Sequence, residues 1–282
     1  MGIQIITDTS CDLPDRQLEQ FEIDIIPLKV SFDNKETFLD RVELPPDIFV
    51  KKMTAAKNLP KTSTPDPQTF IDFFENGLNK QGEVLFVGLS SGLSATCQTA
   101  QLACNMLGNN QVRVFDTLTG SLGTGIFAIK AALLAREGLA MESIIEHLTA
   151  WRVHTETIFT LDTLENVVKG GRLSRIEGLA GTMLNIKPVL RNDHVSGAPF
   201  VTDKVRGRKK AIQRLLAMIE EDVGSDASQR WIGISHVDCE EDARRVAHKL
   251  EEKYHPVNPI IIAPMSATIG TYAGVGGLMI NM

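Results

Sequence analysis

Several absences narrow the field before any motif is considered. The 282 residues include only four cysteines. Cys11, Cys97, Cys104 and Cys239 form no Cys-x-x-Cys pair, and no His-x-x-x-His or mixed Cys/His cluster has metal spacing, so no metal site is expected. Cys97 and Cys104 lie a heptad apart and read as core fillers. There is no excess of positive charge: the net value is -6, which argues against nucleic acid and against a polybasic membrane anchor. No apolar run approaches the roughly 20 residues of a membrane span, and Ile3-Gln4-Ile5-Ile6 is strand-like rather than part of a signal peptide. These features point to a cytoplasmic protein without an integral membrane segment. Repeats and low-complexity tracts are missing as well.

What is present is ordinary globular composition, 43% hydrophobic and 23% charged, in a chain long enough for one large domain or two medium ones. The stretch Glu83-Val84-Leu85-Phe86-Val87-Gly88-Leu89-Ser90-Ser91-Gly92-Leu93-Ser94-Ala95-Thr96 reads as a buried strand, a hydroxyl-rich turn and a helix beginning at Ser94. In α/β proteins ligands bind beyond the carboxyl ends of strands. A helix start there favours an anion, and the serines add neutral donors.

Upstream, Ile3 to Ile6 forms a strand running into Thr7-Asp8-Thr9-Ser10-Cys11-Asp12-Leu13-Pro14. That loop reads first as a helix cap and second as the frame of a ligand crevice. Ile23 to Val30 reads as one strand, placed at a sheet edge by Pro27. Pro45 and Pro46 open a helix to about Met53. In Lys61-Thr62-Ser63-Thr64-Pro65-Asp66, Thr64 is the expected cap, with Pro65 at the first helical position. This would be a second hydroxyl cluster at a helix start. Gly120 to Gly125 has the glycine spacing of a phosphate-binding loop. Ile126 and Phe127 stand where Lys and Ser/Thr are required, so these glycines are read as permitting close helix packing before a helix from Ile126 to Arg136. The pattern restarts near Thr155, which divides the chain into an N-terminal α/β domain, 1–155, and a C-terminal α/β domain, 156–282.

Two chemistries fit the turn. Gly88-Leu89-Ser90-Ser91-Gly92 satisfies G-x-S-x-G in strand–turn–helix context, which makes a serine esterase or lipase with Ser90 as nucleophile one reading. No His-Gly-Gly-Gly stretch completes an oxyanion hole, and His194, His236, His248 and His255 offer no evident base. The other reading is binding without turnover. A carboxylate held by hydroxyls and helix-start N–H groups needs no buried cation, and an acyl chain adds about 0.8 kcal/mol per buried methylene.

Assembled, the motifs make the sequence similar to DegV family proteins, the fatty-acid-binding group that includes the FakB-type subunits of bacterial fatty-acid kinase. The resemblance spans the whole chain. It rests on Thr7 to Pro14, Lys61-Thr62-Ser63-Thr64-Pro65, Ser90 to Thr96, Asp116-Thr117, Lys169-Gly170-Gly171-Arg172-Leu173-Ser174 and Ile269-Gly270-Thr271-Tyr272-Ala273-Gly274. It implies two α/β domains with a ligand tunnel between them and one long-chain fatty acid as ligand. It implies neither a further cofactor nor catalytic residues in this chain. The carboxylate would meet Thr62, Ser91 and Ser94, with Ser63 and Ser90 as neighbours and Tyr272 nearby. The implied role is a carrier presenting the acid to a separate ATP-dependent kinase subunit, whose acyl phosphate feeds phospholipid synthesis. Arg172 and Arg206 match basic positions that meet the phosphoryl group or the kinase, or are surface charges beside loops. Thr64 replaces a usual glutamine, and Tyr272 stands where histidine is common, giving a neutral hydroxyl in place of a group that can be charged.

Overall fold

The computed structural model describes residues 2–33, 35–173 and 185–282. β1 (Gly2–Asp8) is followed by α1 (Asp15–Phe21) and the short β2 (Asp24–Ile26). The single strand expected from Ile23 to Val30 is in fact two. Pro27 has no N–H for a ladder, and the chain changes sheets there. β2 pairs with β1, whereas β3 (Lys29–Phe32) joins β4 (Glu36–Leu39) and β5 (Lys61–Ser63) in an antiparallel three-stranded sheet ordered β4-β3-β5. Between β4 and β5 lies α2 (Pro46–Ala55), whose Phe49 is fully buried.

The next helix, α3 (Pro67–Gln81), is capped by Asp66, which accepts from the Thr69 N–H, with Pro67 in the first turn. The expected cap at Thr64 is therefore two residues early, because Lys61 to Ser63 are extended in β5. The second hydroxyl cluster lies on a strand end, not at a helix start. β6 (Gly82–Gly88), α4 (Thr96–Leu107) and β7 (Val112–Asp116) complete a parallel sheet ordered β2-β1-β6-β7. Phe70 and Phe74 from α3 meet Phe86 of β6 with ring centroids 5.5 and 6.1 Å away. Truncating any of these rings costs about 3–5 kcal/mol. Cys97 and Cys104 sit in this cluster, and burial pushes the Cys104 thiol up to about 11, which keeps it unreactive.

α5 (Leu122–Arg136) begins four residues before the expected Ile126 and takes Gly123 and Gly125 of the preceding stretch into its first turn. It is apolar nearly all round, as a helix between two sheets must be. On one side it packs against Leu85 and Val87, on the other against Ile261 and Ala263. A Cβ on Gly125 would stand 2.8 Å from the Cys11 carbonyl oxygen, so the close approach expected of these glycines is realised against the loop after β1. α6 (Met141–Arg152) follows.

Beyond it come β8 (Thr157–Thr160), α7 (Glu165–Lys169), β9 (Ile186–Asn192), β10 (Pro199–Arg206), α8 (Arg208–Asp222), β11 (Gly233–His236), α9 (Glu240–Tyr254), β12 (Ile261–Pro264), α10 (Ala267–Ala273) and β13 (Leu278–Asn281). The strands form a mixed sheet ordered β10-β9-β8-β13-β11-β12, in which β11 and β12 run parallel. Period-2 alternation sends Ile158, Ile234 and Ile280 under α8 and α9, and sends Phe159 and Met279 to the opposite face. That second face is where the site lies.

Candidate functional site

The turn after β6 gives its serines three different tasks. Ser90 is fully buried. Its N–H donates to the Thr119 carbonyl (2.9 Å), its hydroxyl donates to the Gly197 carbonyl (3.0 Å), and its oxygen accepts from Gly92 N–H (3.1 Å). It ties the turn to the hairpin between β9 and β10, and its proton is committed. Among the described residues no histidine hydrogen-bonds it, so the esterase reading is discarded. Ser91 is exposed, and its N–H donates to Asp116 Oδ1.

Ser94 faces a cavity. The helix expected to start there begins at Thr96, because the Leu93 and Ser94 N–H groups both close back on the Ser90 carbonyl at 3.0 Å. Ser94 Oγ lies 2.8 Å from Thr96 Oγ1, which is 3.3 Å from Thr64 Oγ1. Ala95 supplies no side-chain cap to α4, so the helix presents its positive end beside Ser94.

Thr62 of β5 and Tyr272 of α10 meet at the same cavity, Oγ1 to hydroxyl at 2.6 Å. Strand alternation turns the neighbouring Ser63 outward, where it is exposed. Arg172 joins them. Its guanidinium lies 4.7 Å from the Tyr272 ring centroid, with Nε donating to Leu93 O (3.3 Å) and Nη1 to Gly170 O (2.7 Å). The hydroxyls were expected to act without a cation, and one is present. Arg206 is exposed at the end of β10 and outside the cavity lining. Ser174 and Arg175, at the end of the basic turn, lie outside the described residues.

Most of the remaining wall is apolar, with Leu89, Leu93 and Ile269 on one side and Phe159, Leu161 and Met279 on the other, and Asn192 and Thr268 also line it. The empty space between these walls, with the open mouth included, is about 710 Å³. Two buried carboxylates set the position of α10. Asp40 accepts from the N–H groups of Ala267 and Thr268, each at 3.0 Å, and from Thr268 Oγ1 at 2.6 Å. Asp12 accepts from Ser266 N–H at 2.8 Å and from the Ser121 hydroxyl, which also meets Ser235 Oγ at 2.6 Å. Burial pushes Asp12 up to about 7, against hydrogen bonds from Ser121 and Ser266 and the charge of Arg41. Asp40 is raised for the same reason. On the loop after β1 the cap reading holds for Asp8, which accepts from Ser10 N–H, while Asp12 acts across the molecule.

Sequence reasoning missed Asp12 and Asp40 as anchors of the Tyr272 helix, and nothing in their local spacing reports contacts more than 200 residues away. It also passed over Phe159 and Met279, although alternation within their strands marks them as one face. Among the described residues no group of three or more His, Cys, Asp or Glu could hold a metal ion, and no helix is long and apolar enough to cross a membrane.

Fold and site together define a mixed α/β protein with an apolar cavity closed at one end by hydroxyls and a guanidinium. The sequence model for the DegV family, described as uncharacterised protein, matches residues 2–281. The chain belongs to the DegV family. It is 33% identical over 279 residues to Protein DegV of Bacillus subtilis, covering 99% of this chain and 98% of that one. Among solved structures, a DegV lipid-binding protein from Thermotoga maritima superposes with a TM-score of 0.89 at 30% identity, over 100% of this chain and 98% of that one. A DegV family protein from Thermus thermophilus, solved for its fatty-acid binding, gives 0.91 at 27%, over 100% and 99%. The family's mixed α/β fold is thus this chain's fold.

Proposed function

We propose that this chain binds one long-chain fatty acid between its two units, 1–155 and 156–282, and presents the carboxylate to a separate ATP-dependent kinase subunit. The chain itself carries out no chemistry in this reading, and it works in the cytoplasm on the way to phospholipid synthesis. The observation that carries the reading is the polarity of the cavity: four polar side chains, Thr62, Ser94, Arg172 and Tyr272, gather at its edge, while apolar groups form most of the rest. A carboxylate there accepts from Ser94 and from the Thr62–Tyr272 pair, with Arg172 supplying the countercharge. Bound fatty acids in relatives support it: a DegV family structure from Ruminococcus gnavus, 25% identical with a TM-score of 0.91, holds vaccenic acid, and DegV of Bacillus subtilis is described as a fatty-acid-binding protein.

Ser63, Ser91 and Arg206 are exposed, and the proposal gives them contact with the partner or the phosphoryl group. Tyr272, in place of histidine, keeps a donor for the carboxylate but no ionisable cation. The test is a crystal structure with oleate: the carboxylate is expected within hydrogen-bond distance of Thr62 and Ser94, and a reversed acid would overturn the assignment. For the second half, a fatty-acid kinase catalytic subunit, ATP and hydroxylamine should yield an acyl hydroxamate only when this chain is added. No dependence on this chain would remove the carrier role and leave binding intact.

A further inference from the structure

Three hydroxyls follow one another at the polar end of the cavity, and only the innermost, Ser94, lines it. Thr96, the first residue of α4, is 0% exposed, and its Oγ1 lies 2.8 Å from Ser94 Oγ. Thr64, half-buried just after β5, has its Oγ1 3.3 Å from Thr96 Oγ1. Among the described residues Thr96 Oγ1 meets no other hydrogen-bonding group. A buried hydroxyl is almost always paired, and these two neighbours are what pair this one.

The direction of these bonds matters to a ligand. A hydroxyl has one proton and two acceptor sites. The Thr96 N–H, which can only donate, points at Ser94 Oγ from 3.3 Å and occupies one of its acceptor sites. If Ser94 gives its proton to Thr96, what remains for the cavity is a lone pair, which repels an anion. If Thr96 donates to Ser94 instead, the Ser94 proton is free. A carboxylate is an acceptor only, so it selects the second arrangement. Thr96 then accepts from Thr64, whose half-buried position leaves it open to solvent.

We propose that Thr96 is a positioning residue for fatty-acid binding, which turns the Ser94 proton towards the carboxylate as the middle member of a donor chain running from Thr64 through Thr96 to Ser94. The inference rests on the fatty-acid reading and extends it to two residues that do not line the cavity. Hydrogen bonds in a chain polarise one another, by about 10–30% each, so Ser94 donates more strongly than an isolated serine. The chain also joins the two hydroxyl arms of the site. Thr64 stands two residues beyond Thr62 of β5, and Thr96 two residues beyond Ser94, so the Thr64–Thr96 contact ties one arm to the other.

The experiment is a double-mutant cycle, with delipidated full-length protein titrated with oleate by calorimetry. Thr96→Val keeps the shape of threonine without its hydroxyl and should bind oleate about fivefold more weakly, the size of one neutral hydrogen bond. Thr96→Ser restores the hydroxyl and should stay within about twofold of wild type. In the Ser94→Ala background, Thr96→Val should change affinity by less than about twofold, because its action passes through Ser94. A merely structural role for Thr96 would give the same loss with or without Ser94, and that result would overturn the proposal, as would wild-type affinity in Thr96→Val. Should Thr96→Val fail to fold, Thr64→Val takes its place in the cycle. Its loss is expected to be about twofold and to vanish in Ser94→Ala; no loss, or one that persists there, overturns the proposal. Folded wild-type protein that binds no oleate would remove the fatty-acid reading itself, whereas wild-type binding untouched by these variants would remove the donor chain alone.

Discussion

The two faces of the six-stranded sheet start from the same alternation and end differently. On one face Ile158, Ile234 and Ile280 are covered by Leu215, Met218, Val246 and Leu250 of α8 and α9, and the result is a filled core. On the other, Phe159 and Met279 look towards α10 and the turn after β6, which bring Leu89, Leu93 and Ile269 across a cavity they share with the polar side chains of Ser94 and Tyr272. Strand chemistry is nearly the same on both faces. What lies opposite decides whether a sheet face becomes core or chamber.

Substitutions on the two faces should separate stability from binding. Ile280→Ala empties volume in the filled face and should lower stability by about 2–5 kcal/mol, with ligand selectivity unchanged; chemical denaturation with paired binding curves reads both. Arg172→Leu acts in the opposite way. Losing a charge-assisted contact worth about 1.5–3 kcal/mol should weaken fatty-acid binding about ten- to hundredfold while stability changes little. Thr62→Val leaves the Tyr272 hydroxyl without its partner and should cost a few-fold in affinity, about 1 kcal/mol. Ser91→Ala, at an exposed position, should change binding by less than about twofold. A larger loss would show that Ser91 reaches the ligand.

The carboxylates behind the chamber add a pH signature. Between the ordinary aspartate value of 3.8 and about 7, folded protein holds a proton on Asp12 that the unfolded chain has lost. Its contribution to stability therefore falls as pH rises through that window. His236 is held below its usual 6.5 by burial and acts in the opposite sense, lowering stability as pH falls below that value. Asp12→Asn isolates the first effect. Relative to wild type, the variant should gain stability as pH is raised from about 5 to about 7, measured by denaturant titration at each pH. A stability difference that is flat with pH would exclude Asp12 as the titrating group.

Much of the fold was legible because local chemistry dictated it: the strand at Val84–Val87, the proline-opened α2, and β8 just after Thr155 all follow from apolar runs and punctuation. Pro27 was recognised as an edge signal, yet the change of sheets it produces depends on pairing with β4 and β5, which no local pattern reports. Thr64 and Asp66 are both good caps, and the strand pairing of β5 chose the later one. In the site, hydroxyl-rich stretches drew attention to Thr62 and Ser94, and both line the cavity. The separate tasks of Ser90, Ser91 and Ser94 depend on Gly197, Asp116 and Thr96, two of them distant in sequence. Arg172 was legible as a basic residue beside glycines, but its place over the Tyr272 ring needs the packing of α7 against α10.

We propose that the open face of this sheet houses an acyl chain whose carboxylate lies at the Thr62, Ser94, Arg172 and Tyr272 end. Native mass spectrometry of the purified full-length protein, before and after delipidation and re-addition of oleate, tests it most directly. One long-chain acid per chain is expected, lost on delipidation, regained with oleate, and held far more weakly by Arg172→Leu. Folded protein that carries no acid and takes up none would contradict it.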